Sequence, residues 1–160
     1  MEVVPGTTRD ADAVADLWVD LASEQTQYGS HVLPADNRAS IREQAARHAA
    51  TDCLVVARVD DEVVGFVMFD VSDGGVGLDV AKGLVENLYV VPGMRDQGVG
   101  ARLLREAERR LAERGVDVVS LEAMTDNEAA RRFYRRHGYD RHRVELEKPV
   151  ESDTHSKEDG

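Results

Sequence analysis

"NLYVVPGMRDQGVGARLL", Asn87 to Leu104, is the stretch on which the reading of the chain turns. Its first residues are apolar and β-branched or aromatic, Pro92-Gly93 marks a turn, and Leu103 and Leu104 open a helical stripe. That stripe continues through Ala107 and Leu111 and stops at Gly115. The stretch therefore reads strand, turn, helix, with Gly98 and Gly100 where the helix begins. A helix N-terminus offers free N–H groups and about half a positive charge, so an anion binds there without a lysine. Two readings of the glycines stand at this point: a pyrophosphate cradle, or a tight strand-to-helix turn and nothing more. The pattern is not a P-loop, which needs a lysine and a hydroxyl residue after its second glycine. Nor is it the Rossmann fingerprint, whose third glycine position is Leu103 here.

Upstream, "LVENLYVV" (84–91) is apolar on both alternating faces apart from Glu86 and Asn87, as in a central strand covered on both sides. "CLVVARV" (53–59) and "VVGFVMFDV" (63–71) read as a hairpin turning at Asp60-Asp61-Glu62. "TTRDADAVADLWVDLASEQ" (7–25) sets Ala11, Val14, Leu17, Trp18 and Leu21 at helical spacing, with Thr7 or Thr8 as the cap. A second helix, faced mostly by alanine, is expected from Ser40 to Ala50, and a short strand at Val3-Val4. The glycine-rich segment 72–83 is a loop. Downstream, "VDVVSLEA" (116–123) is a strand, "DNEAARRFYRRHG" (126–138) a helix, and "RHRVELEKP" (141–149) a last strand. The order β-α-α-β-β-β-α-β-α-β predicts an α+β protein, a three-layer α/β/α arrangement with one mixed sheet between helices.

Length and composition bound the rest. The 160 residues suit one domain, 1–149, with an acidic tail from 150 to 160 that has too few apolar residues to fold. No apolar run is long enough to span a bilayer, and the N-terminus lacks a signal peptide's pattern, so a soluble cytoplasmic protein is expected. Cys53 is the single cysteine, and no Cys or His cluster has metal-ligand spacing; neither a disulfide nor a metal is expected. The formal charge of −11 argues against a nucleic-acid surface. Seventeen of the twenty basic residues are arginine. An acidic, lysine-poor surface fits a high-salt cytoplasm, where screening relieves the repulsion; steering of a cationic substrate is the rival explanation.

The glycine turn is not isolated. Arg95-Asp96-Gln97-Gly98-Val99-Gly100, following "LYVVP", resembles the signature of the GNAT superfamily of N-acetyltransferases: arginine or glutamine, two residues, glycine, any residue, then glycine or alanine. About thirty residues on, "NEAARRFYRRHGY" resembles the same family's second signature, with Asn127, Ala130, Phe133-Tyr134 and Gly138-Tyr139. The resemblance implies a mainly antiparallel sheet and acetyl-coenzyme A as co-substrate. It implies that Leu88, Tyr89 and Val90 offer backbone groups to the pantetheine arm. It places the pyrophosphate on the N–H groups of Arg95, Asp96, Gln97, Gly98, Val99, Gly100 and Ala101. Asn127 would then reach the pantetheine, with Ala130 and Phe133 alongside, and Arg102, Arg131 and Arg135 would be candidates for the 3′-phosphate.

The chemistry that the resemblance implies is acetyl transfer to a primary amine within a ternary complex. The amine must lose a proton first, and Glu86 is the expected base, working through water. By strict alternation it shares a face with Leu84, Leu88 and Val90, where partial burial would raise its pKa. Otherwise Glu86 is one partner of a structural ion pair. Tyr134 matches the family's general acid for the departing thiolate, with core packing as its plain alternative. On the same resemblance, the Val90 N–H would polarise the thioester carbonyl. Cys53 has no activating neighbour in sequence and reads as a small buried hydrophobe. His31, His48, His137, His142 and His155 read as surface or packing residues.

Two other functions compete: a non-catalytic acyl-coenzyme A sensor on the same fold, and a nucleotide-phosphate protein, which lacks the needed lysine and metal-binding acid. The acceptor, a small-molecule amine or a protein amine, would be shaped by 25–50, by 72–83 and by the residues after Gly138. Asp36, Glu43 and Asp79 lie in those segments. A homodimer is compatible with all of this.

Overall fold

The computed structural model describes residues 1–72 and 75–151. Asp73 and Gly74 of the glycine-rich loop, and the acidic tail from Ser152, fall outside the described residues. Strands β1 (Glu2–Pro5), β2 (Leu54–Val59), β3 (Glu62–Val71), β4 (Lys82–Val90) and β5 (Val118–Ser120) form one sheet in that spatial order. The first three pairings are antiparallel and β4 pairs with β5 in parallel. Helices α1 (Ala11–Thr26) and α2 (Arg38–Ala50) cover one face, and α3 (Val99–Glu113) covers the other together with α4 (Glu128–Arg136). This is the three-layer α+β architecture that the element order predicts.

The hairpin forms for a local reason. Asp60 and Asp61 have φ of 49° and 67°, so β2 and β3 join through two left-handed residues whose twist matches that of the strands. Alternation then sends Val55, Ala57, Val67 and Phe69 to the α3 face, and Leu54, Val56, Phe66 and Met68 to the α1–α2 face. Against the first face α3 lays Val99, Leu103, Leu104, Ala107 and Leu111, the stripe expected from its sequence. Against the second, α1 lays Val14, Trp18 and Ala22, while Leu17 and Leu21 sit half-buried at the border.

The last expected strand does not form. Residues 141–149 have no strand pairing, and Val144 and Leu146 are 63% and 88% exposed. An isolated strand gains nothing until a neighbour supplies its hydrogen bonds. The preceding strand, β5, pairs over only three residues, far fewer than the eight read for it.

Strand β4 positions the site. Its pairing with β5 runs from Lys82 to Leu84 and stops, so Val85 to Val90 are paired with β3 on one side only. Its pairing with β3 shifts at the middle: Met68 faces Asn87 and Phe69 faces Val85, which leaves Glu86 as an extra residue without a partner.

Candidate active site

The bulge overturns the expected facing of Glu86. With one extra residue the alternation slips, so Val85, Leu88 and Val90 pack on the α3 face while Tyr89 packs beneath α1. Glu86 turns to α2, where its Oε1 lies 2.7 Å from Nε2 of His48. The apolar surroundings that strict alternation implied are therefore not found: the Glu86 side chain, 28% exposed, has its carboxylate held by an imidazole.

His48 is the functional residue that sequence reasoning missed. It is only 9% exposed, in the last turn of α2, with Nδ1 2.8 Å from the Gln44 carbonyl. Hydrogen bonding from Glu86 raises its pKa above the ordinary imidazole value, against the opposing effect of burial. A signal was available: Ile41, Ala45 and His48 follow helical spacing on the apolar face of α2. Asp70, at the end of β3, completes a trio with His48 and Glu86 whose donor atoms lie within 4.8 Å of one another. Residues this far apart in sequence show no ligand spacing. Nε2 of His48 and Oε1 of Glu86 meet directly, with the Asp70 carboxylate as their neighbour.

A second polar group anchors the end of β4. Arg95 donates through Nε to the Val90 carbonyl at 2.9 Å and through Nη2 to both Glu24 oxygens at 2.9 and 3.0 Å, and its guanidinium lies over the Tyr89 ring. Burial first, and then the Glu24 carboxylate, push the Tyr89 phenol up to about 12. The Arg95 N–H is donated to Pro92, so both ends of this residue are engaged within the protein. Sequence alone placed Arg95 in the cradle; the fold makes it a brace between α1 and β4.

The cradle starts after it. Asp96 and Gly98 have φ of 62° and 80°, alternating the backbone so that successive N–H groups converge. The first α3 hydrogen bond runs from the Arg102 N–H to the Gly98 carbonyl, which leaves the N–H groups of Val99, Gly100 and Ala101 without an intrahelical acceptor. A Cβ on Gly98 would meet nothing within 4 Å, so this glycine is required by its left-handed backbone and not by crowding. A Cβ on Gly100 would touch Phe133 at 3.5 Å, an ordinary contact. Asp96, Gln97 and Gly98 are exposed, so the turn is open to an anion from solvent.

Helix α4 brings up the second motif. Asn127 caps it, its side chain accepting from the Ala130 N–H at 3.1 Å, so its carbonyl oxygen is occupied and its amide N–H groups remain as donors. Phe133 and Tyr134 pack on the α3 side of the sheet, and burial alone pushes the Tyr134 phenol up to about 12. The Tyr139 hydroxyl donates to Glu108 at 2.6 Å and fastens the end of α4 to α3. The three arginines read for a 3′-phosphate have separate neighbours: Arg102 lines a cleft with Val3, Arg105 and Arg109, Arg131 donates to the Thr125 carbonyl, and Arg135 is exposed. Asp36, Glu43 and Asp79 are all exposed. Cys53 is buried as expected, with an Arg114 guanidinium N–H 2.9 Å from its sulfur.

No helix among the described residues is long and apolar enough to cross a membrane. The model of the acetyltransferase (GNAT) family matches residues 15–139. An uncharacterized N-acetyltransferase of Archaeoglobus fulgidus is 36% identical over 83 residues, 52% of this chain and 56% of that protein. That alignment thus spans only about half the relative's length. An uncharacterized N-acetyltransferase of Bacillus subtilis is 26% identical over 88% of this chain and 90% of its own. The crystal structure of a GCN5-related N-acetyltransferase from Ralstonia eutropha superposes with a TM-score of 0.72 at 24% identity, covering 93% of this chain and 97% of the other.

Proposed function

The chain belongs to the acetyltransferase (GNAT) family, and from that premise we propose that it moves the acetyl group of acetyl-coenzyme A to a primary amine in a ternary complex. The observation that carries this reading is the edge of β4 from Val85 to Val90 that β5 leaves unpaired, its Val90 carbonyl held by Arg95, followed through one turn by a helix N-terminus whose N–H groups have no intrahelical acceptor. The residues fit the co-substrate: an extended amide chain adds to the edge as a strand would, and the diphosphate meets Gln97 to Ala101. Bound there, acetyl-coenzyme A supplies an activated acyl carbon and a thiolate leaving group.

The chain's own residues divide the proton work. Glu86, on the α2 side, takes the proton that makes the amine nucleophilic, through a water. Tyr134, on the α3 side, meets the departing sulfur. A phenol near 12 stays protonated beside a thiolate of about 8.5, so outright donation is uphill. Tyr134 therefore holds the sulfur by a hydrogen bond and passes on a proton only as it receives the one that the reacting nitrogen releases. The Val90 N–H polarises the thioester carbonyl, and Asn127 uses its remaining amide donors on the pantetheine.

Thiol release with acetyl-coenzyme A and a panel of amines tests the activity. Initial rates with both substrates varied should give intersecting lines, and parallel lines would overturn direct transfer. Tyr134→Phe should lower kcat about a hundredfold with little change in KM for acetyl-coenzyme A. For the setting we propose a salt-rich cytoplasm, which requires the thermal midpoint to rise between low and molar salt.

A further inference from the structure

We propose that His48 and Glu86 act as one base, a pair that binds a single proton between imidazole and carboxylate. The inference deepens the acetyl-transfer reading and rests on it for its kinetic consequence. The argument begins with the far side of the ring. Nδ1 lies 2.8 Å from the backbone carbonyl of Gln44, and a carbonyl can only accept, so Nδ1 carries a hydrogen. In neutral His48, Nε2 is then a lone pair. It lies 2.7 Å from Oε1 of Glu86, also an acceptor when ionised. Two acceptors at that distance need a proton between them, so the structure describes the protonated pair. Removing the proton leaves two lone pairs facing each other in a half-enclosed site, which gives the empty pair a high proton affinity. A general base for an ammonium substrate needs that property.

The surroundings act in the same direction. The last turn of α2 points its carbonyls at His48 and favours the imidazolium. From β3, Asp70 adds a second carboxylate within 4.8 Å of the pair. Asp70 is oriented by the Val71 N–H, 2.8 Å from Oδ1, and Cys53 Sγ lies 3.8 Å from the same oxygen. The nearby cation, Arg114, donates to Cys53 and to the carbonyls of Thr51 and Asp52. The raised pKa of His48 is the expected consequence of this arrangement.

The proton count closes. The empty pair takes one proton from R–NH3⁺ and leaves R–NH2. When the N–C bond forms and the C–S bond breaks, the second nitrogen proton reaches the thiolate by way of Tyr134. The pair then returns its proton to water, so each turnover yields amide, thiol and one H⁺. His48 does not touch the substrate; it acts from behind, through its hydrogen bond to Glu86.

His48→Gln keeps a hydrogen-bond donor near Glu86 and removes the titrating nitrogen. With the same amine, the acidic limb of log kcat/KM against pH should move down by at least one unit, and the rate at pH 8 should fall about tenfold to a hundredfold. A slower variant with an unmoved limb would overturn the pair. Independently of turnover, nitrogen NMR of the free protein should show the His48 ring titrating above the ordinary value near 6.5, and Glu86→Gln should lower that midpoint by at least one unit. An unchanged midpoint would also overturn the pair. Full-rate acetylation by Glu86→Gln would likewise overturn the pair, whereas failure of the parent reading looks different: the unaltered protein would then release no thiol from acetyl-coenzyme A with any amine of the panel, whatever the NMR midpoint.

Discussion

The two faces of β4 are built by different physics. Toward α3 the strand presents Val85, Leu88 and Val90 to leucine and alanine side chains. Toward α1 and α2 it presents Glu86 to His48 and Tyr89 to Glu24 and Arg95. One extra residue separates the two regimes, because the slip at Glu86 turns a carboxylate that alternation assigns to the apolar face toward the polar one. The contrast teaches that the α3 face carries the apolar packing, while the opposite face gathers the charged and hydrogen-bonded side chains.

The sharpest way to break this contrast is to open the apolar face. Leu104 is fully buried, and Leu104→Ala should cost about 3 to 4 kcal/mol in urea unfolding. A loss below about 1 kcal/mol would show that the α3 face is not what stabilises the sheet. Next comes the brace on the polar face. Glu24→Ala removes a partly exposed ion pair and the carboxylate beside Tyr89, and should cost about 1 to 2 kcal/mol. It should also raise KM for acetyl-coenzyme A more than it lowers kcat, since Arg95 would no longer hold the Val90 end of the strand edge.

Within the cradle, two glycines sharpen the comparison. Gly98→Ala forces a side chain into a backbone at φ 80° and should cost about 1 kcal/mol along with affinity for coenzyme A. Gly100→Ala, whose new methyl group meets Phe133 at ordinary contact distance, should stay within about 0.5 kcal/mol of the parent. Calorimetric titration with coenzyme A and thermal unfolding would read both. A separate effect is one of pH. A folded-state pKa raised above the unfolded value means that the His48 contribution to stability is complete below about 6.5 and is lost as pH rises through the raised value. Stability should therefore decline across that window, by at most about 1.4 kcal/mol per pH unit, and His48→Gln should remove the slope.

Particular residues show how much of this was legible. Leu103, Leu104, Ala107 and Leu111 declared their face by spacing, because a helix with one covered side must repeat near 3.6 residues. The hairpin and the glycine turn were legible because their geometry is local. Glu86 was picked out as a base but set on the wrong face, since a bulge depends on how two strands pair and leaves no mark on either alone. Arg95 was read into the cradle, yet its partner Glu24 lies in a helix more than seventy residues earlier. The segment 141–149 alternates like a strand and is not one, because strand formation depends on a neighbour that β5 does not extend far enough to provide.

By itself, then, the sequence determined the layers, the hairpin, the helix stripes and the glycine turn, all consequences of local backbone preference and of burying apolar residues at a fixed period. Only the tertiary structure decided that β4 parts from β5 after Leu84, that Glu86 looks toward α2, and that His48 meets its carboxylate there. Those outcomes depend on which groups meet across the chain, and hydrogen bonds between distant elements follow no period that a sequence displays.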